Sequence, residues 1–317
     1  MKPLIRNVWR SNFEEEMISI ESIVHSYNRI AFDTEFPGFL RNTPRNPSET
    51  DRYEDIKFNV NSLKPIQFGL TFTDAYGNLP HSGGVWQFNF NDFDPAIDLH
   101  VTASVELLLR NGIDLEKNKR EGVDIKAFSA RFGNIIRCEG HRIQWLTFHG
   151  VYDIAYFIKV LNANNPMPGT LQEFMYMVGA IFPQLYDLKF MAKFCHGLFG
   201  GELGLERLAK ILEVKRVGET HQAGSDSLIT SNVFSKMKKV YQLIEGAYEG
   251  YLYGISFRKR RWVPLGPPRP HFITVVPNGY YRGQPYFGTI NNPLRWSHCH
   301  ALVPTVHVSY CQWSMHH

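Results

Sequence analysis

Between residues 11 and 28 the apolar positions Phe13, Met17, Ile20, Val24 and Tyr27 recur at helical spacing and mark one buried face. Ser11-Asn12-Phe13-Glu14 precedes them with the spacing of a capping box, Ser11 as cap and Glu14 three residues on. Residues 29–35 read as a strand that starts apolar at Ile30, Ala31 and Phe32 and ends acidic, and Pro37-Gly38 stops it. Residues 41–55 are polar and Pro-bearing and are expected to be loop. Residues 66–73 and 85–90 are two further strands, close enough in sequence to pair antiparallel. Helices are predicted over 101–110 and 124–137, the second with a stripe of Ile125, Phe128, Phe132 and Ile135 or Ile136. A strand follows at 144–148, then helices at 152–161, 171–181, 203–212 and 225–241, with Tyr186-Asp187-Leu188-Lys189 in a short connection. Strands come first and then alternate with helices, which predicts an α/β fold with a mixed sheet flanked by helices.

The periodicity fades after about residue 255. Arg258-Lys259-Arg260-Arg261 is a basic run, 264–270 is rich in Pro and Gly, and 271–317 holds many His, Tyr and Trp. The expected organisation is one domain over 1–257 and an irregular, basic, Pro-containing tail over 258–317. Of the 317 residues, 44% are hydrophobic and 20% charged, ordinary values for a globular chain that exclude a collagen or a coiled coil. No apolar run approaches the roughly 20 residues of a membrane span, and no secretory pattern follows Met1, so no membrane partner is expected. Four cysteines in a chain of this length do not make a disulfide framework. Cys138 and Cys195 sit among apolar helical residues and are expected to be packing positions. The net charge of +4 is too small to argue for a polyanionic partner.

Three short segments carry candidate chemistry. Asp33-Thr34-Glu35 ends the first predicted strand, and alternation puts Asp33 and Glu35 on one face. Two carboxylates so placed repel unless a hard divalent cation lies between them; the plainer reading is a pair of solvated acids. Asp153 follows a later strand at the start of a helix, where it serves either a ligand or the helix dipole. His221-Gln222-Ala223-Gly224-Ser225-Asp226 runs from a Gly-bearing loop into a helix; there Ser225 or Asp226 is a cap and His221 a surface residue, or Asp226 is a ligand and His221 a base. Together, Asp-x-Glu, a distant Asp and His-x4-Asp suit a two-metal nuclease, in which a pair of cations holds the scissile phosphate and a histidine takes a proton from water.

Phe32-Asp33-Thr34-Glu35-Phe36-Pro37-Gly38, Phe148-His149, Tyr152-Asp153, Tyr186-Asp187-Leu188-Lys189 and His221-Gln222-Ala223-Gly224-Ser225-Asp226-Ser227-Leu228 closely resemble the Caf/Pop deadenylases, the DEDD-type nuclease subunits of the Ccr–Not complex. Asn59-Val60-Asn61-Ser62-Leu63-Lys64, Gln67-Phe68-Gly69-Leu70 and Trp86-Gln87-Phe88-Asn89-Phe90 extend the resemblance, which runs from about Leu4 to Ile255. It implies an RNase H-like fold, dependence on two divalent cations, Mg²⁺ or Mn²⁺, and 3′→5′ removal of poly(A) as 5′-AMP. It implies that Asp33, Glu35, Asp153 and Asp226 bind metal, that His221 is catalytic and that Asp187 is structural. The implied partners are single-stranded poly(A) RNA, the large Not scaffold and a second deadenylase subunit, and the implied location is cytoplasmic and nuclear. The loop after Gly38 departs from the family, and the tail has no counterpart in it.

The acid set alone leaves other readings open: an exonuclease that trims other RNA or proofreads DNA, or a non-catalytic adaptor that docks a scaffold. His298-Cys299-His300 with Cys311 and the terminal His316-His317 matches no standard zinc spacing, and Arg258–Arg261 reads as solvated surface rather than an import or RNA-contacting patch.

Overall fold

A computed structural model of the chain describes residues 5–44, 46–162 and 165–255. The expected boundary near 257, the tail over 258–317, the basic run and the His/Cys cluster lie outside the described residues.

The apolar run at the start of the first predicted strand becomes the middle of a six-stranded mixed sheet. In chain order the elements are β1 (Ile5–Val8), α1 (Phe13–Ile23), β2 (Arg29–Glu35), α2 (Glu49–Ser62), β3 (Gln67–Thr73), β4 (Val85–Asn89), α3 (Thr102–Arg110), α4 (Leu115–Glu121), α5 (Ile125–Glu139), β5 (Gln144–Thr147), α6 (Val151–Leu161), α7 (Leu171–Ile181), β6 (Gln184–Asp187), α8 (Leu188–Ala192), α9 (Leu205–Ile211) and α10 (Ala223–Tyr241). The strand order is β1-β4-β3-β2-β5-β6. The pairs β2·β3 and β3·β4 are antiparallel, while β1·β4, β2·β5 and β5·β6 are parallel. Both faces of the sheet are covered, so every residue of β3 is buried although its sequence alternates, with Gln67, Thr71 and Thr73 on the face opposite Phe68, Leu70 and Phe72.

Alternation divides β2 between two cores. Ile30 and Phe32 enter the larger core with Trp145, Phe68 and Phe157. Ala31 enters the second, with Leu146 and Tyr186, beneath Ile229, Val233 and Phe234 of α10. Among the described residues no helix is long and apolar enough to cross a membrane.

Several local expectations change. Residues 41–55 are not all loop, because α2 begins at Glu49. Ser48 caps it by accepting the N–H of Asp51 at 3.1 Å, and Tyr53, Ile56 and Val60 form its buried stripe. The buried Asp55 and Asn59 on the same helix disguise that stripe. Ser11 is not a cap either. Asn12 holds the N-cap position of α1, and its Oδ1 turns back to accept the N–H of Trp9 at 2.8 Å. Glu14 instead pairs with Arg131 of α5 at 3.1 Å. Tyr186 and Asp187 end a strand rather than lie in a connection, and the short strand β1 and helix α4 were not expected. Cys195 is buried as expected, but Cys138 is exposed, on the side of α5 away from Phe128 and Phe132.

Candidate active site

The pleat of β2 decides where its acids go. Asp33 and Glu35 continue the Ala31 side, the side of α10, while Thr34 faces the layer of α6. There Thr34 takes hold of Asp153 in the first turn of α6: its N–H and its hydroxyl both donate to Asp153 Oδ1, at 2.9 and 2.6 Å. An acid from one layer is thereby brought to the strand end where acids from the other layer stand.

The fourth acid arrives because α10 lies very close to the sheet. Gly69, at the centre of β3, is the register partner of Asp33. A β-carbon on Gly69 would overlap the backbone of Ala223 and Gly224, so only glycine lets the first turn of α10 settle there. That turn has no cap from its own N-cap residue, Gln222. Two buried glutamines from the sheet serve instead: Gln67 Oε1 accepts the N–H of Ala223 at 3.3 Å, and Gln87 Oε1 accepts that of Gly224 at 3.0 Å. Neither Ser225 nor Asp226 is the cap. The Ser225 hydroxyl donates to Val217 O at 2.8 Å. Asp226 Oδ2 accepts the N–H of His221 at 3.1 Å, with His221 in a left-handed conformation, φ +56°. The loop that carries His221 is tied down by Gln222, whose Nε2 donates to Asn111 O at 2.8 Å and whose Oε1 accepts from Gln87 at 2.8 Å.

All five residues expected from the sequence, Asp33, Glu35, Asp153, His221 and Asp226, line one cleft of about 560 Å³. Ligand atoms of Glu35, His221 and Asp226 lie within 4.8 Å of one another. Burial, and then the charges of Asp153, Asp226 and Glu35, push Asp33 well above the usual carboxylate range. Burial, followed by Asp226 and Asp153, does the same to Glu35. Burial raises Asp153 to about 7 despite its bonds from Thr34, and raises Asp226 against the opposing pull of Arg216. Four carboxyls that resist ionising together, with an imidazole beside them, are a donor set suited to hard divalent cations.

The sequence reading missed two members of the site. Arg216 donates from Nη1 to Asp226 Oδ1 and to Ser225 Oγ, the latter at 2.9 Å, and from Nε to Glu206 at 2.8 Å. It is the counter-charge that holds Asp226, and its place ten residues upstream of that acid, in a polar loop, carried no signal. His149 also lines the cleft. Burial, then Lys189 and Arg52, lowers it to about 4, so it is neutral near pH 7. Asp187 stands behind it, fully buried, accepting the N–H groups of His149 and Lys189 at 2.9 Å and of Tyr253 at 3.0 Å.

The chain is similar to known proteins over this same span. A CAF1 family ribonuclease profile matches residues 8–128 and 134–234. Probable CCR4-associated factor 1 homolog 7 of Arabidopsis thaliana is 43% identical over 264 residues, covering 80% of this chain and 93% of the relative. The Mg²⁺- and Mn²⁺-bound form of S. pombe Pop2p superimposes with a TM-score of 0.73 and 34% identity, over 79% of this chain and 99% of that one. CAF1 co-crystallised with the yeast NOT1 MIF4G domain gives 0.68 and 30% identity, over 79% and 96%. The RNase H-like mixed sheet expected from the sequence is the fold these structures share with it.

Proposed function

The chain belongs to the CAF1 family of ribonucleases, and we propose that it is a poly(A)-specific 3′→5′ exoribonuclease. It shortens mRNA tails and releases 5′-AMP as the nuclease subunit of a Ccr–Not complex. The observation that carries this reading is the meeting of Asp33, Glu35, Asp153, Asp226 and His221 in one cleft, although they come from β2, α6, α10 and the loop before α10.

Asp33, Glu35, Asp153 and Asp226 would hold two divalent cations, Mg²⁺ or Mn²⁺, which supply charge neutralisation at the phosphate and acidify the attacking water. The rest falls to side chains of the chain. His221, beside Glu35 and Asp226, takes a proton from the water on an unprotonated ring nitrogen as the water oxygen bonds to phosphorus. The bond from phosphorus to the 3′ oxygen breaks, and that oxygen takes a proton from solvent water to end as a hydroxyl on the shortened chain. His149 is unsuited to the same task, since a group lowered to about 4 is a weak base. Arg216 keeps Asp226 oriented from behind, and Thr34 fixes Asp153.

The likeness to CAF1 bound to the NOT1 MIF4G domain supports a Not scaffold as partner, with a second deadenylase subunit beside it. Docking of that kind is compatible with catalysis, so the adaptor alternative is decided by whether the purified chain degrades RNA. The test is a time course on 5′-labelled A-tailed, U-tailed and DNA substrates with Mg²⁺, with and without chelator. Stepwise shortening of the A-tailed RNA, lost in chelator and in Asp33→Ala, supports the proposal. Equal degradation of all three substrates removes the poly(A) specificity, and undiminished activity of Asp33→Ala removes the site.

A further inference from the structure

The cleft has two unlike halves. One holds the four acids and His221. The other is lined by Phe36, Phe39, Tyr152, Arg41 and Arg52, the first four drawn from β2's outlet and α6 or the loop that follows Gly38. Phe39 is 43% exposed although it is a large apolar side chain. It meets Phe36 and Tyr152 edge to face, with ring centroids 5.2 and 4.8 Å away, and those two rings stack on each other at 5.8 Å. The loop bearing Phe39 is fastened down. Fully buried Asn59 of α2 accepts the N–H of Arg41 at 2.9 Å, donates to Arg41 O at 2.7 Å and donates to the Tyr152 hydroxyl at 3.0 Å. Arg41 is occupied, lying 4.0 Å over the Phe58 ring and 3.8 Å from Asp55. Arg52 is different: among the described residues no acid lies within ion-pair distance of it, and it is half-buried at the cleft.

An exposed aromatic ring on a pinned loop, a guanidinium with no acid beside it among the described residues and a volume within the range of small-ligand sites form the combination that receives an unpaired base and its phosphate. The acid half cannot attract a polyanion by its own charge, so recognition by side chains has to come from this half. Resting on the nuclease reading, we infer that Phe39 is a stacking platform for a base near the 3′ end of the RNA and that Arg52 contacts the adjoining phosphate. Stacking of this kind accepts any base. It therefore assigns single-strand binding to this corner, not the choice of adenine.

The test measures binding rather than cleavage, so its outcome is separate from that of the nuclease reading. The full chain, with chelator to prevent hydrolysis, is titrated against labelled short oligo(A) and against the same oligomer with abasic 3′-terminal nucleotides. Wild type is expected to bind the intact oligomer on the order of tenfold tighter than Phe39→Leu does, the usual scale of one base stacked on an aromatic ring. Phe39→Trp restores the affinity, and the abasic oligomer shows no difference among the three. Arg52→Gln weakens both oligomers alike and lowers the slope of log affinity against log salt by about one. Equal affinity of wild type and Phe39→Leu overturns the platform, as does a loss in Phe39→Leu that is the same for the abasic oligomer or not restored by Trp. An unchanged salt slope in Arg52→Gln overturns the phosphate contact. A wild type that binds neither oligomer overturns both.

Discussion

Replacing Asp153 with asparagine should make the metal-free protein more stable while destroying its activity. Asp153 is held at about 7 rather than its ordinary 3.8, chiefly by burial. Above both values, keeping it ionised costs the folded state about 4 kcal/mol. The sign is opposite to that of a salt-bridged acid. The folded state binds the extra proton, so this group favours folding at low pH, and the advantage is lost as the pH rises through about 7. Asparagine keeps the Oδ1 acceptor for the two bonds from Thr34 and removes the charge. At roughly 2–4 °C per kcal/mol for a domain of this size, the melting temperature near pH 8 in chelator should rise by several degrees, with roughly 8–16 °C as the ceiling. Near pH 5 the gap should shrink. Adding Mn²⁺ should stabilise wild type by mass action and the variant much less, and A-tail shortening should be lost in the variant. The assay is a set of thermal melts in chelator and in Mn²⁺ at the two pH values. An Asp153→Asn protein that melts at or below wild type near pH 8 in chelator refutes the claim that the four acids strain the fold until cations arrive.

Gly69→Ala should lower activity at least a hundredfold and abolish the Mn²⁺-induced rise in melting temperature, because the added methyl displaces the backbone of Ala223 and with it Asp226; a variant with wild-type metal stabilisation would show that the close approach is dispensable. Lys159→Met should destabilise by about 2–4 kcal/mol in a urea melt. The buried ammonium of Lys159 donates to the carbonyls of Val60 at 2.6 Å, Leu63 at 3.1 Å and Asn61 at 3.5 Å, closing the end of α2, and methionine leaves them without a donor. Burial lowers Lys159 to about 8, so for wild type its contribution to stability grows as the pH rises from about 8 toward the ordinary lysine value, and the variant should lack that rise.

Legibility followed the range of the interactions. β2 could be delimited to the residue because both of its signals are local, an apolar run and the acids that end it. The convergence on Asp33 could be proposed from motifs, since each acid sits at a strand end or a helix start. What placed them together was hidden. Gln67 and Gln87 cap a helix more than 130 residues downstream, and nothing around either glutamine announces a capping role. Arg216 is an ordinary loop arginine until Asp226 folds beside it. The helix α2 was misread because Asp55 and Asn59 are polar yet buried, and Asn59 is buried for a reason beyond its own helix, the loop of Phe39. Ser11 offered a capping pattern whose geometry was taken by Asn12 and the turn before it.

The position of α10 in the chain has a bearing on biosynthesis. A polypeptide still being translated, with α10 unmade, possesses three of the four carboxyls, and the core around Ala31 and Leu146 lacks Ile229, Val233 and Phe234. The full set of four carboxyls is therefore assembled only when nearly all of the described fold has been made. A product truncated before α10 lacks Asp226 and can never bring the four acids of the cleft together.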